Sequence, residues 1–103
     1  MLQAYYVLFE LMETLGKKWV VHLLLFLLIV KQTNFSTLKK RLNLTSRALS
    51  LKLKDLRRLG LVRKSSPKNN KENVYYSLSD KGKNIVQSLV ALSSSDANKS
   101  RKD

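Results

Sequence analysis

Residues 35–82 decide the fold, and they read FSTLKKRLNLTSRALSLKLKDLRRLGLVRKSSPKNNKENVYYSLSDKG. Their leucine spacing predicts a short helix over 35–42, a turn over 43–46 and a second helix over 47–59 that ends at Gly60. Asparagine, serine and threonine stand where the two helices begin, and these are the preferred capping residues. Two helices joined by so short a turn are typical of a helix-turn-helix.

A hairpin is predicted directly after the second helix. Residues 61–64 and 74–78 have the composition of two short strands, and a polar loop that contains the only proline joins them. A hairpin in this place is the wing of a winged helix-turn-helix. The predicted fold class is therefore mainly α with a small β-wing (α+β), built as a winged helix-turn-helix.

Helices are also predicted on both sides of this module, over 3–15, 18–30 and 79–92. Gly16 ends the first, and Ser79 caps the last. The segment 19–30 is apolar except for His22, but its twelve residues are too few to span a bilayer, which takes about 20. It is expected to be a core helix that is buried nearly all round.

The length of 103 residues allows one domain with one modest core. We expect this domain to occupy residues 1–92, with dimerisation helices at about 3–15 and 79–92. Residues 93–103 are polar and rich in small side chains, which favours a flexible tail.

Positive charge is concentrated on the predicted winged module. Residues 31–83 hold 15 Lys and Arg against three acidic residues, whereas residues 1–30 are neutral and residues 84–103 carry only +1 of the total +13. A basic surface in general would mix lysine with glutamate, and the chain has only seven acidic residues in all. The concentration favours a surface that faces a polyanion, namely double-stranded DNA.

The helix 47–59 carries the candidate base-reading residues. Leu49, Leu53 and Leu56 fall on one side at helical spacing, so they are expected to face the core. The opposite side would then face the major groove, into which the N-terminal part of such a helix inserts. The candidate base-reading residues are Ser46, Arg47, Ser50, Leu51 and Lys54. Arg47 could pair with guanine, and Leu51 is either an ordinary exposed leucine or a contact for a thymine methyl group.

Other polar residues are expected to contact the phosphate backbone. The backbone candidates are Lys39, Lys40, Thr45, Arg57 and Arg58. The wing candidates are Lys64, Lys68, Asn69, Asn70 and Lys71, which suit backbone or minor-groove contact. The alternative for each is ordinary solvation, on a helix face or at a hairpin tip.

The sequence offers no catalytic or metal-binding pattern. It contains no cysteine, one histidine and three glycines, so it has no thiolate metal site and no phosphate-binding glycine loop. His22 is interpreted as a core or interface histidine and not as a ligand. We therefore expect neither enzymatic activity, nor a cofactor, nor a metal.

Five motifs stand in order along the chain: Gly16-Lys17-Lys18-Trp19, Phe35-Ser36-Thr37-Leu38, Leu49-Ser50-Leu51-Lys52-Leu53-Lys54-Asp55-Leu56, Gly60-Leu61-Val62-Arg63 and Tyr76-Ser77-Leu78-Ser79-Asp80-Lys81-Gly82. In this order and at this spacing, over about residues 12–90, they resemble the HxlR-type winged-helix transcription regulators, relatives of the MarR group. The resemblance implies a homodimer joined through the first and last helices. It also implies that the helix 47–59 lies in the major groove with the wing 64–73 alongside.

The chain departs from this family pattern in two ways. It lacks the sensing cysteine that members often carry near the N-terminus, so thiol-based sensing is not carried over. Its first motif has an extra lysine, and Ser46 stands where proline is common. These differences affect the transfer of an operator or an effector, not the fold.

The residues themselves also predict a dimer. The first and last helices have more apolar surface than one small domain can cover, and an isologous pair would bury it. The candidate interface residues are Tyr5, Phe9, Met12, Leu89 and Leu92. The alternative is that the two helices cover each other within one monomer.

Together these features predict a dimeric, sequence-specific DNA-binding transcription regulator, acting as a repressor in the cytoplasm at the nucleoid. One alternative is an architectural protein that coats DNA without reading bases, and another is a protein-interaction module on a winged-helix scaffold. The expected partners are double-stranded DNA and a second copy of the chain, with no membrane. An effector pocket near Tyr5, Tyr6, Trp19 and His22 is one interpretation of these residues, and ordinary packing is the other.

Overall fold

A computed structural model describes the backbone of residues 2–66 and 74–102, and the side chains of residues 4–66 and 74–94. Within these ranges, five helices and a three-stranded sheet follow one another. They are α1 (Leu2–Leu15), α2 (Val20–Val30), β1 (Gln32–Thr33), α3 (Phe35–Leu42), α4 (Ser46–Arg58), β2 (Val62–Ser65), β3 (Tyr75–Leu78) and α5 (Asp80–Lys102). The predicted winged helix-turn-helix is confirmed. Within the described ranges, no helix is both long and apolar enough to cross a membrane.

The core lies where α2, α3, α4 and the sheet meet. Leucines at helical spacing supply most of it, because a helix must bury its apolar side to be stable. The fully buried leucines are Leu23, Leu24, Leu27, Leu38, Leu49, Leu56 and Leu61. Leu53 is nearly as buried, so the predicted inward side of α4 is confirmed. This packing fixes the opposite side of α4 toward solvent.

Two side-chain caps define the helix-turn-helix. The Asn34 side chain accepts a hydrogen bond from the Thr37 backbone N–H at 2.8 Å, and the Thr45 hydroxyl accepts one from Ala48 N–H at 3.1 Å. Between the helices, Asn43 adopts a left-handed conformation with φ 53°. Asparagine tolerates this conformation better than most residues, so the chain can turn sharply there without glycine.

The sheet has a strand that the sequence did not predict. Gln32 and Thr33 pair antiparallel with Ser77 and Tyr76, which gives the order β1-β3-β2 in place of a two-stranded ribbon. A strand of two residues is too short to show alternating hydrophobicity, so no pattern reveals it. Its effect is to anchor the start of α3 to the wing.

Ser79 joins the end of the sheet to the start of α5, as predicted. Its hydroxyl accepts the Gly82 N–H at 3.0 Å and donates to the Gly60 carbonyl at 2.5 Å. The N–H of Ser79 donates to the Leu61 carbonyl at 3.0 Å. One serine thus fixes α5 to the turn that follows α4.

Two boundary and burial predictions are wrong. Helix α5 continues to Lys102 and does not end near Leu92, because no glycine or proline interrupts the chain beyond Gly82. The division into a domain 1–92 and a flexible tail 93–103 stays a prediction. Helix α2 is not buried all round, since Val21, Leu25 and Ile29 form an exposed apolar stripe.

The prediction of a core position for His22 is also wrong. The side chain is exposed, and its ring lies edge-on to the Trp19 ring with centroids 5.0 Å apart. An interface role for this histidine stays a prediction.

Candidate nucleic-acid interface

The outward side of α4 is a basic surface on a rigid support. Arg47, Lys54 and Arg58 are exposed on it, and Leu51 lies among them with 54% of its surface exposed. The buried leucines of the same helix prevent it from rotating about its axis. Of the predicted base-reading residues, Arg47, Leu51 and Lys54 therefore share one exposed side of α4, with Ser50 at its flank. Ser46 is exposed at the start of the helix.

The N-terminus of α4 leaves backbone N–H groups available beside the exposed Arg47. Intrahelical bonding begins with the Leu49 N–H to the Thr45 carbonyl, at 3.0 Å. Helix geometry leaves the N–H groups of Ser46 and Arg47 without a partner inside the helix. Such groups, at the positive end of the helix dipole, suit a phosphate oxygen.

Helix α3 presents its lysines separately from its arginine. Lys39 and Lys40 are exposed beside the turn into α4, as predicted for backbone contacts. Arg41 turns the other way, and its guanidinium lies 5.9 Å from the centre of the Phe26 ring. Arg41 therefore stabilises the contact between α2 and α3 and is not part of the basic surface.

Two ion pairs connect the N-terminal part of the chain to α4, and no sequence pattern indicates either. Lys17 Nζ lies 2.9 Å from Asp55 Oδ2, and Arg58 Nη1 lies 3.1 Å from Glu10 Oε2. The hydrogen bond from Lys17 holds the pKa of Asp55 below its ordinary value, against the smaller opposing effect of burial. Arg58, a predicted backbone contact, is thus already paired in the free protein.

A hollow of about 370 Å³ separates α4 from β2, and we call it the α4–β2 hollow. It is lined by Ser50, Leu53, Lys54, Arg57, Lys64 and Tyr76. Three of these are cations, and the sequence predicts a different DNA contact for each: a base for Lys54, the backbone for Arg57 and a wing contact for Lys64. Sequence reasoning missed Tyr76, whose place on the inner side of the sheet follows only from the strand register.

Of the predicted wing residues, only Lys64 can be placed. It lies on β2, directly opposite Tyr76 of β3. The predicted contacts Lys68, Asn69, Asn70 and Lys71 lie outside the described residues.

The predicted dimer residues are mostly exposed in the single chain. Tyr5, Phe9, Met12 and Leu92 each expose more than half of their surface, and Leu89 is half-buried. Helices α1 and α5 therefore do not bury these side chains against each other within one monomer. Tyr6, Val7 and Leu8 are exposed as well, so α1 is apolar on several sides that the described part of the chain leaves uncovered.

The described residues include no group of three histidine, aspartate, glutamate or cysteine side chains placed to hold a metal ion. Trp19 and His22 line a shallow apolar depression with Leu15 and Val21. Tyr5 and Tyr6, the other two residues of the effector-pocket interpretation, do not line it.

A family model for HxlR-like helix-turn-helix proteins matches residues 14–102. The chain belongs to this family. Its members are DNA-binding winged-helix transcription regulators and not enzymes, so the resemblance noted in the sequence is confirmed. The match includes the α3–α4 pair, the three strands and all of α5.

Solved structures of similar architecture include two that are moderately similar in sequence to this HxlR-like chain. HlyU from Vibrio cholerae is 28% identical with a TM-score of 0.73, over 89% of this chain and 97% of that one. A transcriptional regulator homologue from Pyrococcus horikoshii is 27% identical with a TM-score of 0.71, over 95% and 98%.

MepR of S. aureus, solved as a DNA complex, is 16% identical with a TM-score of 0.76, over 90% of this chain and 77% of that one. At that identity the likeness shows the fold alone. No functionally curated protein matches the chain.

Proposed function

We propose that this protein is a sequence-specific, double-stranded DNA-binding transcription regulator that acts as a homodimer. The observation that carries the proposal is the outward side of α4, where Arg47, Lys54 and Arg58 are exposed on a helix fixed by buried leucines. A rigid basic helix at the end of a helix-turn-helix is the element that enters the major groove in this class of proteins. MepR, a protein of similar fold, was solved as a complex with DNA, which supports the proposal.

In this proposal α4 enters the major groove with its N-terminal end foremost. Arg47 and Ser50 contact base edges there, together with Ser46 and Lys54, and Leu51 meets a thymine methyl group. The phosphate contacts come from Lys39, Lys40, Thr45, Arg57 and Arg58. The wing contacts the backbone or minor groove through Lys64, Lys68, Asn69, Asn70 and Lys71. These assignments rest on charge and position in the sequence, and for the described residues also on exposure.

The dimer is proposed to form through α1 and α5. Tyr5, Phe9, Met12 and Leu92 are large, apolar and exposed, which is costly for a monomer in water and ordinary for an interface. Leu89 would complete the surface. A two-fold pair would place two α4 helices on half-sites about 34 Å apart, one turn of DNA.

Repression by steric occlusion is the proposed mode of regulation. A small dimer seated on an operator excludes other proteins from the same DNA, and this needs no further surface. Such a protein works where the chromosome is, in the cytoplasm at the nucleoid.

The experiment that tests the function is selection of random duplexes by the purified protein. The proposal predicts recovery of an inverted repeat that is preferred over random DNA by about 10³-fold or more at physiological salt. Recovery of a single half-site would contradict the dimer, and recovery of no motif would contradict sequence reading.

An architectural DNA-coating protein is the second candidate, and one observation favours it. The outward side of α4 carries more general cations than base-specific groups, because asparagine and glutamine are absent from Ser46–Arg58. Such a protein would bind every duplex alike and lose affinity steeply as salt rises. The selection experiment separates the two candidates directly.

A further inference from the structure

The α4–β2 hollow has a geometry that a merely solvated basic surface does not need. Its helical side is formed by Ser50, Leu53, Lys54 and Arg57, which follow the spacing i, i+3, i+4, i+7 and so form one stripe along α4. Its other side is formed by Lys64 and Tyr76. The hollow is therefore a concave site between two rigid elements.

Strand register places Lys64 on the inner side of the wing. Val62 and Lys64 alternate with Arg63 and Ser65, so Lys64 shares the inner side of β2 with buried Val62. Arg63 lies on the outer side, opposite Ser77. Lys64 is exposed on the inner side and lines the hollow, so its ammonium is accessible to an anion there.

Three positive charges line the hollow, and its described lining includes no acidic residue; Asp55 on the same helix acts on Lys54 only through a Coulombic attraction. The two ion pairs of the described residues use Lys17 and Arg58, and neither includes Lys54, Arg57 or Lys64. Every described residue that lines the hollow is cationic, polar and neutral, or apolar. Mutual repulsion of the three cations would be relieved by one anion bound among them.

Two hydroxyl groups complete the lining. Tyr76 has only 8% of its surface exposed, so its ring is held firmly, and Ser50 lies across the hollow on α4. Within the described part of the chain, neither hydroxyl takes part in a hydrogen bond to another protein group. Neutral O–H donors beside an arginine fork suit the several oxygens of a phosphate.

We propose that the α4–β2 hollow binds one phosphate group of the DNA backbone, through Lys54, Arg57, Lys64 and the hydroxyl of Tyr76. The inference rests on the proposed function and deepens it. Leu53 and Lys54, at the centre of the hollow, lie about 10 Å along α4 from Arg47 at 1.5 Å per residue. The major groove is about 12 Å wide, which is close to that distance. When Arg47 reaches the bases, the hollow therefore lies against the DNA backbone that borders the groove. Lys54 then binds phosphate in place of a base.

The test replaces single phosphates of the selected duplex by neutral methylphosphonates and measures each Kd. Wild-type protein should lose about tenfold in affinity at one linkage in each half-site. In Lys64→Ala and in Tyr76→Phe, binding to the unmodified duplex should weaken. A methylphosphonate at the same linkage should then lower the remaining affinity by much less than tenfold. Lys64→Ala should also lower the slope of log affinity against log salt by about 0.9.

Two neighbours on the outer side of the sheet supply matched controls. Arg63→Ala removes the same charge as Lys64→Ala, and Tyr75→Phe removes the same hydroxyl as Tyr76→Phe. Both controls should keep the full tenfold penalty at the sensitive linkage. If the penalty persists equally in Lys64→Ala and Tyr76→Phe, the backbone phosphate does not bind in the hollow.

A free phosphate is the other source of the same chemistry. Inorganic phosphate, titrated at constant ionic strength, would then shift the NMR signals of Arg57 and Tyr76 while the methylphosphonate penalties stay unchanged in the variants. That result would assign the anion site to a small ligand and not to the DNA backbone. If inorganic phosphate shifts no signals and the variants do not change the methylphosphonate penalty, the site itself is overturned. If wild-type protein prefers no duplex over any other, the proposed function fails, which is a separate result.

Discussion

Arg47 and Ser50 are the residues on which sequence reading is proposed to depend. Both are exposed near the N-terminal end of α4, and neither contributes to the core. In the double variant Arg47→Ala, Ser50→Ala we expect the preference for the selected operator over random DNA to fall about tenfold to 100-fold, since a bidentate base contact is worth about 1–3 kcal/mol. Competition binding with the two duplexes measures the ratio.

The control for this prediction is Lys39→Ala on α3. Loss of a phosphate contact should weaken operator and random DNA by the same factor and lower the salt slope by about 1. An unchanged operator preference in the Arg47, Ser50 variant would show that these residues do not read bases.

The fold leaves no room for a side chain at Gly82. A Cβ there would overlap the Leu61 carbonyl oxygen and come within 3.3 Å of Leu78 Cδ2. The Leu61 carbonyl is held by the Ser79 N–H, so it cannot easily move. Gly82→Ala should therefore lower the free energy of unfolding by about 3 kcal/mol, as overpacking does.

Gly60→Ala is the matched comparison in a urea unfolding experiment. Gly60 has φ +75°, but the space that an added Cβ would occupy is open, so only backbone strain of about 1 kcal/mol is expected. Equal losses in the two variants would contradict the steric explanation for Gly82.

At the scale of elements, the link between Lys17 and α4 makes stability depend on pH. The Lys17 ammonium holds the pKa of Asp55 below its ordinary value of 3.8, so ionised Asp55 stabilises the fold above that value. The contribution is lost as pH falls through the lowered pKa. Asp55→Asn should cost about 0.5 kcal/mol at pH 7, and the difference from wild type should vanish in strong acid.

Glu13→Gln is the control for this pH dependence. Glu13 is an exposed carboxylate on α1 that takes part in neither of the two ion pairs of the described residues. At each pH from 7 down to strong acid, Glu13→Gln should have the same urea midpoint as wild-type protein. A cost for Asp55→Asn that is the same at every pH would show that the ion pair with Lys17 is not its cause.

The second link, between Glu10 of α1 and Arg58 of α4, should compete with DNA. A phosphate can replace the Glu10 carboxylate only by breaking the pair. Glu10→Gln should therefore raise affinity for duplex DNA about twofold at low salt, an effect of the size expected for an exposed pair. In an Arg58→Ala background the same substitution should have no effect, and a gain there would point to general charge instead.

The helices that position the candidate site could be predicted because each has a polar side. In α4, leucines recur at 49, 53 and 56 between charged residues, so the inward side is readable and the outward side follows. Asn34 and Thr45 are residue types that commonly cap helices, so they also indicate where α3 and α4 begin. In α2 nearly every residue is apolar, so the sequence could not show that Val21, Leu25 and Ile29 stay exposed.

Other features depend on contacts between distant parts of the chain. Trp19 adopts a left-handed conformation with φ 73°, so α2 begins two residues later than predicted, and no glycine marks the position. The pairing of β1 with β3 and the ion pair between Glu10 and Arg58 join residues more than 40 positions apart. The α4–β2 hollow likewise exists only once helix and strand are packed together.

At the scale of the whole molecule, charge and apolar surface are divided between two regions. The basic residues cluster around α3, α4 and the sheet, whereas the exposed apolar residues cluster on α1, α2 and α5. A dimer formed through the second region would leave the first free on both protomers. This arrangement connects oligomeric state with DNA binding, because two half-sites can be read only by two copies.

Phe9→Glu tests that arrangement. Phe9 has 58% of its surface exposed in the single chain, so a glutamate should leave the fold intact while placing a charge in the proposed interface. By sedimentation, wild-type protein should be a dimer and Phe9→Glu a monomer with the same circular dichroism. Its affinity for the inverted repeat should fall to that for one half-site, because the second contact no longer follows from the first. Ile29→Glu, which charges an even more exposed apolar residue on α2, should stay dimeric. A dimeric Phe9→Glu would contradict an interface through α1, and a monomeric Ile29→Glu would place α2 in the interface.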